Sequence, residues 1–168
     1  MIKKILLVGI LLSGLLHATN LLPPKVKQTY TMDYTKDTIC LVRHFKVYKD
    51  PKWVAKITLK NGKTVYFSSP KSMFEFYHRP GKWYDVGVKS EKDFKDIVVT
   101  DYITMKPINA KEAFFIYGSR AISPAGDDLV AIGNEDDAKA FAKKYSGKRI
   151  FKFDEVKDAL IRLINGRI

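Results

Sequence analysis

Two segments that alternate apolar and polar residues flank the dipeptide Asn61-Gly62. The first is WVAKITLK, residues 53–60, and the second is KTVYFSS, residues 63–69. Alternation with a period of two is typical of strands with one buried face, and Asn-Gly between two such segments favours a β-hairpin. This part of the chain is therefore constrained to an antiparallel strand pair, which the flanking segments have to extend or cover.

A helix is predicted directly after this hairpin. Ser69 can cap its start, Pro70 suits its first position, and Pro80-Gly81 ends it. Between these bounds, bulky apolar residues recur at helical spacing: Met73, Phe74, Phe76 and Tyr77. The segment DIVVTDYITM, residues 96–105, then predicts a further strand, which gives the order strand, strand, helix, strand.

The second half of the chain repeats this order. Segments 113–119 and 128–134 predict a strand pair, and Asn134 can cap a helix that begins with acidic residues and closes at Gly147 after two lysines. KRIFKF predicts a strand, and we expect Asp154 to cap a final amphipathic helix. The sequence thus predicts an α+β fold of two tandem ββαβ units, an internal duplication, plus a C-terminal helix.

The first 18 residues are typical of a secretory signal peptide. Lys3 and Lys4 precede an uncharged apolar run, residues 5–16, and Ala18 offers a small residue before a cleavage position. The run is shorter than the roughly 20 residues that a membrane-spanning helix needs, so an uncleaved anchor is the weaker alternative. We therefore expect export across the inner membrane to the periplasm.

The rest of the chain divides into three parts by pattern. Residues 19–52 are an extended lead-in that also carries a candidate metal motif. Residues 53–110 are the first ββαβ unit, and residues 111–168 are the second unit with the C-terminal helix. About 150 residues suffice for one compact domain or two small, closely packed halves.

The formal net charge of +12 narrows the choice of partners. Export argues against nucleic acid, which leaves an anionic membrane surface or an acidic protein as an electrostatic partner. Lysines and arginines are spread along the chain, so solubility alone explains the charge equally well. The sequence has no HExxH, GxSxG or CxxC motif and no glycine-rich phosphate loop, and we expect a protein that is not an enzyme.

The segment TICLVRHF, residues 38–45, holds Cys40, the only cysteine, with His44 four residues later. A lone thiol in an oxidising compartment can be buried and inert, bind a metal, or pair with another protein's thiol. Cysteine and neutral imidazole are both competent copper ligands. The β-branched and aromatic neighbours favour an extended strand, however, in which the two residues would lie roughly 13 Å apart.

The chain resembles the NosL family, the nitrous oxide reductase accessory proteins. Three stretches carry the resemblance: residues 50–77, DPKWVAKITLKNGKTVYFSSPKSMFEFY; residues 98–120, VVTDYITMKPINAKEAFFIYGSR; and residues 123–156, SPAGDDLVAIGNEDDAKAFAKKYSGKRIFKFDEV. The resemblance implies an exported protein of two ββαβ units that binds Cu(I). It also implies delivery of copper to a client metalloenzyme, nitrous oxide reductase or a related envelope enzyme.

The metal positions are where the sequence departs from this family. Its members carry CxxCGM or CGM before a YPKW-like stretch, and a methionine in a PMG-like turn of the second half. Here Cys40 matches the first cysteine, whereas Arg43, His44 and Phe45 replace the second cysteine, the glycine and the methionine, and Ala125 replaces the later methionine. The resemblance therefore leaves Cys40 and His44 as the candidate ligands for Cu(I).

Two functions follow from this departure. The chain either handles copper through an altered site, or it keeps the scaffold without the metal and docks on a partner. That partner would be the client metalloenzyme or a related paralogue with an intact motif.

Overall fold

The computed structural model describes residues 28–167, and the signal peptide predicted for residues 1–18 lies outside them. Within the described residues the strands form two antiparallel sheets. The four-stranded sheet has the order β2-β1-β3-β4 and consists of β1 (Ala55–Leu59), β2 (Thr64–Phe67), β3 (Phe94–Thr100) and β4 (Pro107–Asn109). The three-stranded sheet has the order β6-β5-β7 and consists of β5 (Phe114–Tyr117), β6 (Leu129–Ile132) and β7 (Arg149–Lys152).

The helices of the described part are α1 (Pro70–His78), α2 (Glu135–Tyr145) and α3 (Asp158–Ile164). The α+β class is thus confirmed. In each half the first strand lies between the second and the fourth element, so both halves have the predicted ββαβ order. The duplication behind this shared order stays a prediction. In residues 28–167 no helix has the length and apolar character that a membrane crossing requires.

The predicted hairpin at Asn61-Gly62 is confirmed. Strand β1 pairs with β2 in an antiparallel register that places Ala55 opposite Phe67. Gly62 has φ +88°, a left-handed conformation that a residue without a Cβ adopts freely. The start of α1 is also as expected, because the Ser69 hydroxyl accepts a bond from a backbone N–H of the first turn.

Helix α1 lies at the centre of the molecule. It contacts β1 and β2 of the first sheet, β6 of the second sheet, and α3. Its apolar residues enter a core that both sheets share, which includes Phe67 and Phe115. Because protein surrounds this helix, its polar face is buried as well, and Lys71 and Glu75 are 2% and 3% exposed.

The strand predicted for residues 96–105 ends earlier than expected. Strand β3 stops at Thr100 because the next side chain, Asp101, turns the chain. One carboxylate oxygen of Asp101 accepts bonds from the backbone N–H groups of Ile103 and Thr104, at 2.9 and 2.8 Å. Such a bond from a side chain to the following backbone competes with the strand ladder.

The expected cap of the last helix, Asp154, was also wrong. Residues Phe153–Glu155 form a 3-10 turn, and α3 begins only at Asp158. Val156, between them, has extended backbone angles, and its carbonyl accepts a 2.9 Å bond from the His78 imidazole. A continuous helix from Asp154 would redirect that carbonyl into its own backbone ladder, so the contact with α1 delays the helix.

Candidate functional site

The segment around Cys40 is a closed turn. The Cys40 N–H donates to the Phe45 carbonyl at 2.8 Å, and the His44 N–H donates to the Cys40 carbonyl at 2.9 Å. The neighbouring Leu41 N–H donates to the Tyr66 carbonyl at 2.9 Å, which fixes the turn to β2. The expected extended strand was therefore wrong, and the backbone brings Cys40 and His44 into one turn.

His44 closes this turn in a left-handed conformation. Its φ of +59° lies in the region that glycine adopts freely and other residues adopt at a cost. This is the position at which the resemblance places a glycine. The local geometry therefore supports the residue-by-residue match of TICLVRHF to that motif.

The two side chains lie in different surroundings. The Cys40 thiol is fully buried in the shared core, and its sulfur accepts a 3.3 Å bond from the Arg43 backbone N–H. The His44 side chain is exposed and lines a shallow cavity of about 390 Å³ with Phe45, Lys46, Lys49, Asp50 and Pro124. The turn therefore brings the residues together along the backbone but leaves the thiol and the imidazole in different environments.

Arg43, the residue beside them, is bound into a buried charge network. Its Nη2 donates to Glu75 Oε2 at 3.1 Å and to Asn165 Oδ1 at 2.6 Å. Asn165 Nδ2 and Arg167 Nη1 also donate to the Glu75 carboxylate, at 3.0 and 2.5 Å. We call these four residues the Glu75 network; it joins the Cys40 turn to α1 and to the C-terminal segment.

A second polar cluster surrounds Ala125. The Lys71 ammonium donates to the Ala125 carbonyl at 2.8 Å. The Asp128 carboxylate accepts from Ser123 Oγ at 2.7 Å and from the backbone N–H groups of Lys71 and Leu129, each at 2.8 Å. Burial raises the pKa of Asp128 and lowers the pKa of Lys71. At the position where the resemblance expects a methionine ligand, Ala125 thus has a carbonyl that is already bonded to a lysine.

The positions of these side chains determine which of them could bind a metal ion. Among residues 28–167, no group of three or more histidine, cysteine, aspartate or glutamate side chains is arranged to hold a metal ion. Cys40 and His44 therefore stay the candidate copper ligands that the sequence predicts. Sulfur and imidazole suit Cu(I), and an N–H bond to the sulfur is a common way to orient a thiolate ligand.

Two other polar residues, His78 and Asp101, have structural roles. His78 ends α1, and its Nε2 donates to the Val156 carbonyl at 2.9 Å. Burial lowers the pKa of His78, which favours the neutral imidazole. Asp101 is buried, and besides the turn after β3 it binds the Gly133 N–H at 2.7 Å. Both groups are committed to contacts within the fold.

Sequence reasoning missed Lys71 and Glu75. Four residues apart, they share one face of α1, which a sequence presents as the solvated side of an amphipathic helix. Their burial follows from packing on both sides of α1, for which the local pattern gives no signal.

Comparisons with known proteins agree with this architecture. The NosL family model matches residues 31–161. The structure of this chain is similar to the crystal structure of the copper chaperone NosL from Shewanella denitrificans, with a TM-score of 0.66 and 22% sequence identity. The match covers 79% of this chain and 99% of that chain. At this identity the match shows a shared fold. No curated protein matches the chain significantly.

Proposed function

This chain belongs to the NosL family, and from that premise we propose that it is an exported copper-handling protein. In this proposal it carries Cu(I) in the periplasm and transfers it to an envelope metalloenzyme, nitrous oxide reductase or a related enzyme. It acts as a carrier and not as an enzyme. The similar chain from Shewanella denitrificans is described as a copper chaperone, which supports this class of function.

One observation carries the proposal: the closed turn from Cys40 to Phe45. Its two backbone bonds place Cys40 and His44 within a single turn, where an extended strand would separate them. Cu(I) is a soft ion that accepts few ligands, so a thiolate and an imidazole form a sufficient protein donor set. The buried thiol would have to turn toward the exposed imidazole, and the exposure of His44 leaves that side of the turn open to an incoming ion or to a client's ligands.

A competition titration tests the copper function. The protein, purified from the periplasm of an expressing host, is titrated without oxygen against a chromophoric Cu(I) chelator. We expect about one Cu(I) per chain, with Cys40→Ser abolishing uptake. His44→Gly should weaken Cu(I) binding by more than the roughly 10–100-fold that the loss of an outer-sphere partner costs. It should not unfold the chain, because glycine suits the left-handed position.

The matched control is His78→Gln, which removes a histidine outside the turn and should retain full uptake. Circular dichroism of each variant separates loss of copper binding from loss of folding. A folded parent that takes up no Cu(I), or a Cys40→Ser variant that takes up as much as the parent, would refute the copper function.

The Glu75 network favours a second candidate function. Arg43 stands where the family has a second cysteine, and its guanidinium is paired with Glu75, whose side chain is 4% exposed. An arginine bound within the fold replaces a thiolate ligand at that position, so the chain would then be a scaffold that docks on a partner without carrying copper. In that case the parent stays folded and takes up no Cu(I), and coexpression with a paralogue that has an intact motif yields a heterodimer by native mass spectrometry.

A further inference from the structure

The loop after β3 presents two apolar side chains to solvent. Ile103 and Met105 are 49% and 42% exposed. Asp101 holds the loop in one shape through its side-chain bonds to Ile103 and Thr104 and through two backbone bonds, from Met105 N to Asp101 O and from Asp101 N to Lys106 O, both 2.9 Å. A loop fixed before binding loses little conformational entropy on association.

A small concave pocket lies between this loop and α2. Its volume is about 310 Å³, and aromatic rings form its wall: Tyr102, Phe141 and Tyr145. The rings pack on one another, with centroids 5.5 Å apart for Tyr102 and Phe141 and 4.3 Å apart for Phe141 and Tyr145. We call this the Tyr102 pocket. Its size is at the lower end of ligand pockets and suits one protruding side chain.

Two lysines give the Tyr102 pocket its charge. Lys52 Nζ lies 5.1 Å from the centroid of the Tyr102 ring, and Lys144 Nζ lies 5.5 Å from that of Tyr145. Neither lysine forms an ion pair within residues 28–167. The acid that the described residues contribute to the wall, Asp137, accepts a 2.5 Å bond from Asn134 Nδ2. The lining therefore carries two lysines and one carboxylate, and its net positive charge favours an incoming negative charge.

We propose that the Tyr102 pocket docks an acidic segment of a partner protein. An apolar side chain of that segment enters between the aromatic rings, and flanking carboxylates bind Lys52 and Lys144. The concave shape favours a protein segment over a membrane, because a single protruding side chain can enter between the rings while its neighbours contact the two exposed lysines. Aromatic residues such as tyrosine and phenylalanine are enriched in protein interfaces.

The position of the pocket connects it with copper transfer. Asp50 lines the cavity that holds His44, and Lys52, two residues later, lines the Tyr102 pocket. A partner docked at Lys52 would therefore lie two residues along the chain from the cavity that His44 lines. The inference rests on the proposed function only for the role of this partner as the acceptor of copper; the docking itself requires no metal.

A peptide titration tests the docking. The probe is acetyl-Glu-Asp-Phe-Asp-Glu-amide, added to the nitrogen-15-labelled copper-free protein and followed by NMR at low salt. We expect shifts confined to the amides of residues 101–106 and of α2, and weaker binding as salt rises. Lys144→Glu should weaken binding roughly tenfold, since attraction becomes repulsion. Lys143→Glu, an exposed neighbour outside the wall with the same change of charge, is the matched control.

Each outcome decides the matter. Equal loss in the two lysine variants, shifts spread over the whole surface, or no binding would overturn the proposal. So would stronger binding to vesicles of phosphatidylcholine and phosphatidylglycerol than to the peptide, which would mark the face as membrane-binding. Peptide binding without Cu(I) uptake would refute the copper function and support the docking site. Cu(I) uptake without peptide binding would support the copper function and refute the docking site.

Discussion

Replacement of the buried carboxylate in the Glu75 network is the sharpest test of how the Cys40 turn is held. Glu75 accepts bonds from Arg43, Asn165 and Arg167, and its side chain is 4% exposed, whereas the side chains of Arg43 and Arg167 are 22% and 48% exposed. Glu75→Gln keeps the shape but removes the charge and turns one acceptor into a donor that faces an arginine or Asn165.

The expected cost follows from these exposures. Breaking a buried ion pair from one side costs about 3–5 kcal/mol, because the remaining charge is left uncompensated. The amide oxygen introduced by Glu75→Gln would still accept one bond, and the half-exposed Arg167 regains water, which lowers the estimate to about 3 kcal/mol. For a chain of this size, that corresponds to a fall in Tm of roughly 6–12 °C.

Thermal and denaturant unfolding followed by circular dichroism measure this change. The matched control is Glu135→Gln, which removes the exposed pair of Glu135 with Lys139, a 2.7 Å contact on α2. Solvent screens that pair, so the control should leave Tm nearly unchanged. The double variant Arg43→Gln, Glu75→Gln should lose less unfolding free energy than the two single variants lose together, because neither charge of the pair is left without its partner.

The Glu75 variant also reports on the thiol. Arg43 donates its backbone N–H to the Cys40 sulfur, so a loosened Arg43 should expose the thiol and raise its rate of alkylation. If Glu75→Gln shifts Tm as little as the Glu135 control, or if the double variant is merely additive, the Glu75 network does not hold the turn by charge compensation.

Two further changes have defined outcomes. Burial lowers the pKa of His78 below its ordinary value of 6.5, so the unfolded chain binds the proton more readily than the folded chain. The free energy of unfolding should therefore fall as the pH drops below about 6.5. In denaturant titrations, His78→Gln should remove that part of the pH dependence. Gly147→Ala would place a Cβ 2.5 Å from the Ile116 side chain and should lower the free energy of unfolding by about 1–3 kcal/mol, whereas Gly81→Ala, with no atom within 4 Å, should leave it nearly unchanged in the same assay.

Several elements could be predicted because the interactions that define them lie within a few residues. Asn61-Gly62 closes its hairpin whatever surrounds it. The Ser69 and Asn134 side chains each accept a bond from the backbone N–H three residues later, so the starts of α1 and α2 follow from sequence. Each of these interactions joins residues that are close in the sequence, so the sequence is sufficient to predict it.

The boundaries that were wrong depend on contacts from further away or on one competing side chain. Strand β3 ends where Asp101 binds the backbone that follows it, and the same carboxylate reaches Gly133, far along the chain. Helix α3 begins late because His78 of α1 binds the Val156 carbonyl. In both cases the local pattern predicts a regular element across a residue whose polar group is bonded elsewhere in the folded protein.

The candidate site shows the same division. Sequence alone determined the residues: one cysteine, a histidine four positions later, and an arginine where the resemblance expects a second thiolate. Only the tertiary structure decided that the segment is a turn closed on β2, that the thiol is buried while the imidazole is exposed, and that Arg43 is bound by a carboxylate of α1. The physical reason is that α1 packs between two sheets, which buries the polar face of that helix and obliges its charges to find partners from distant parts of the chain.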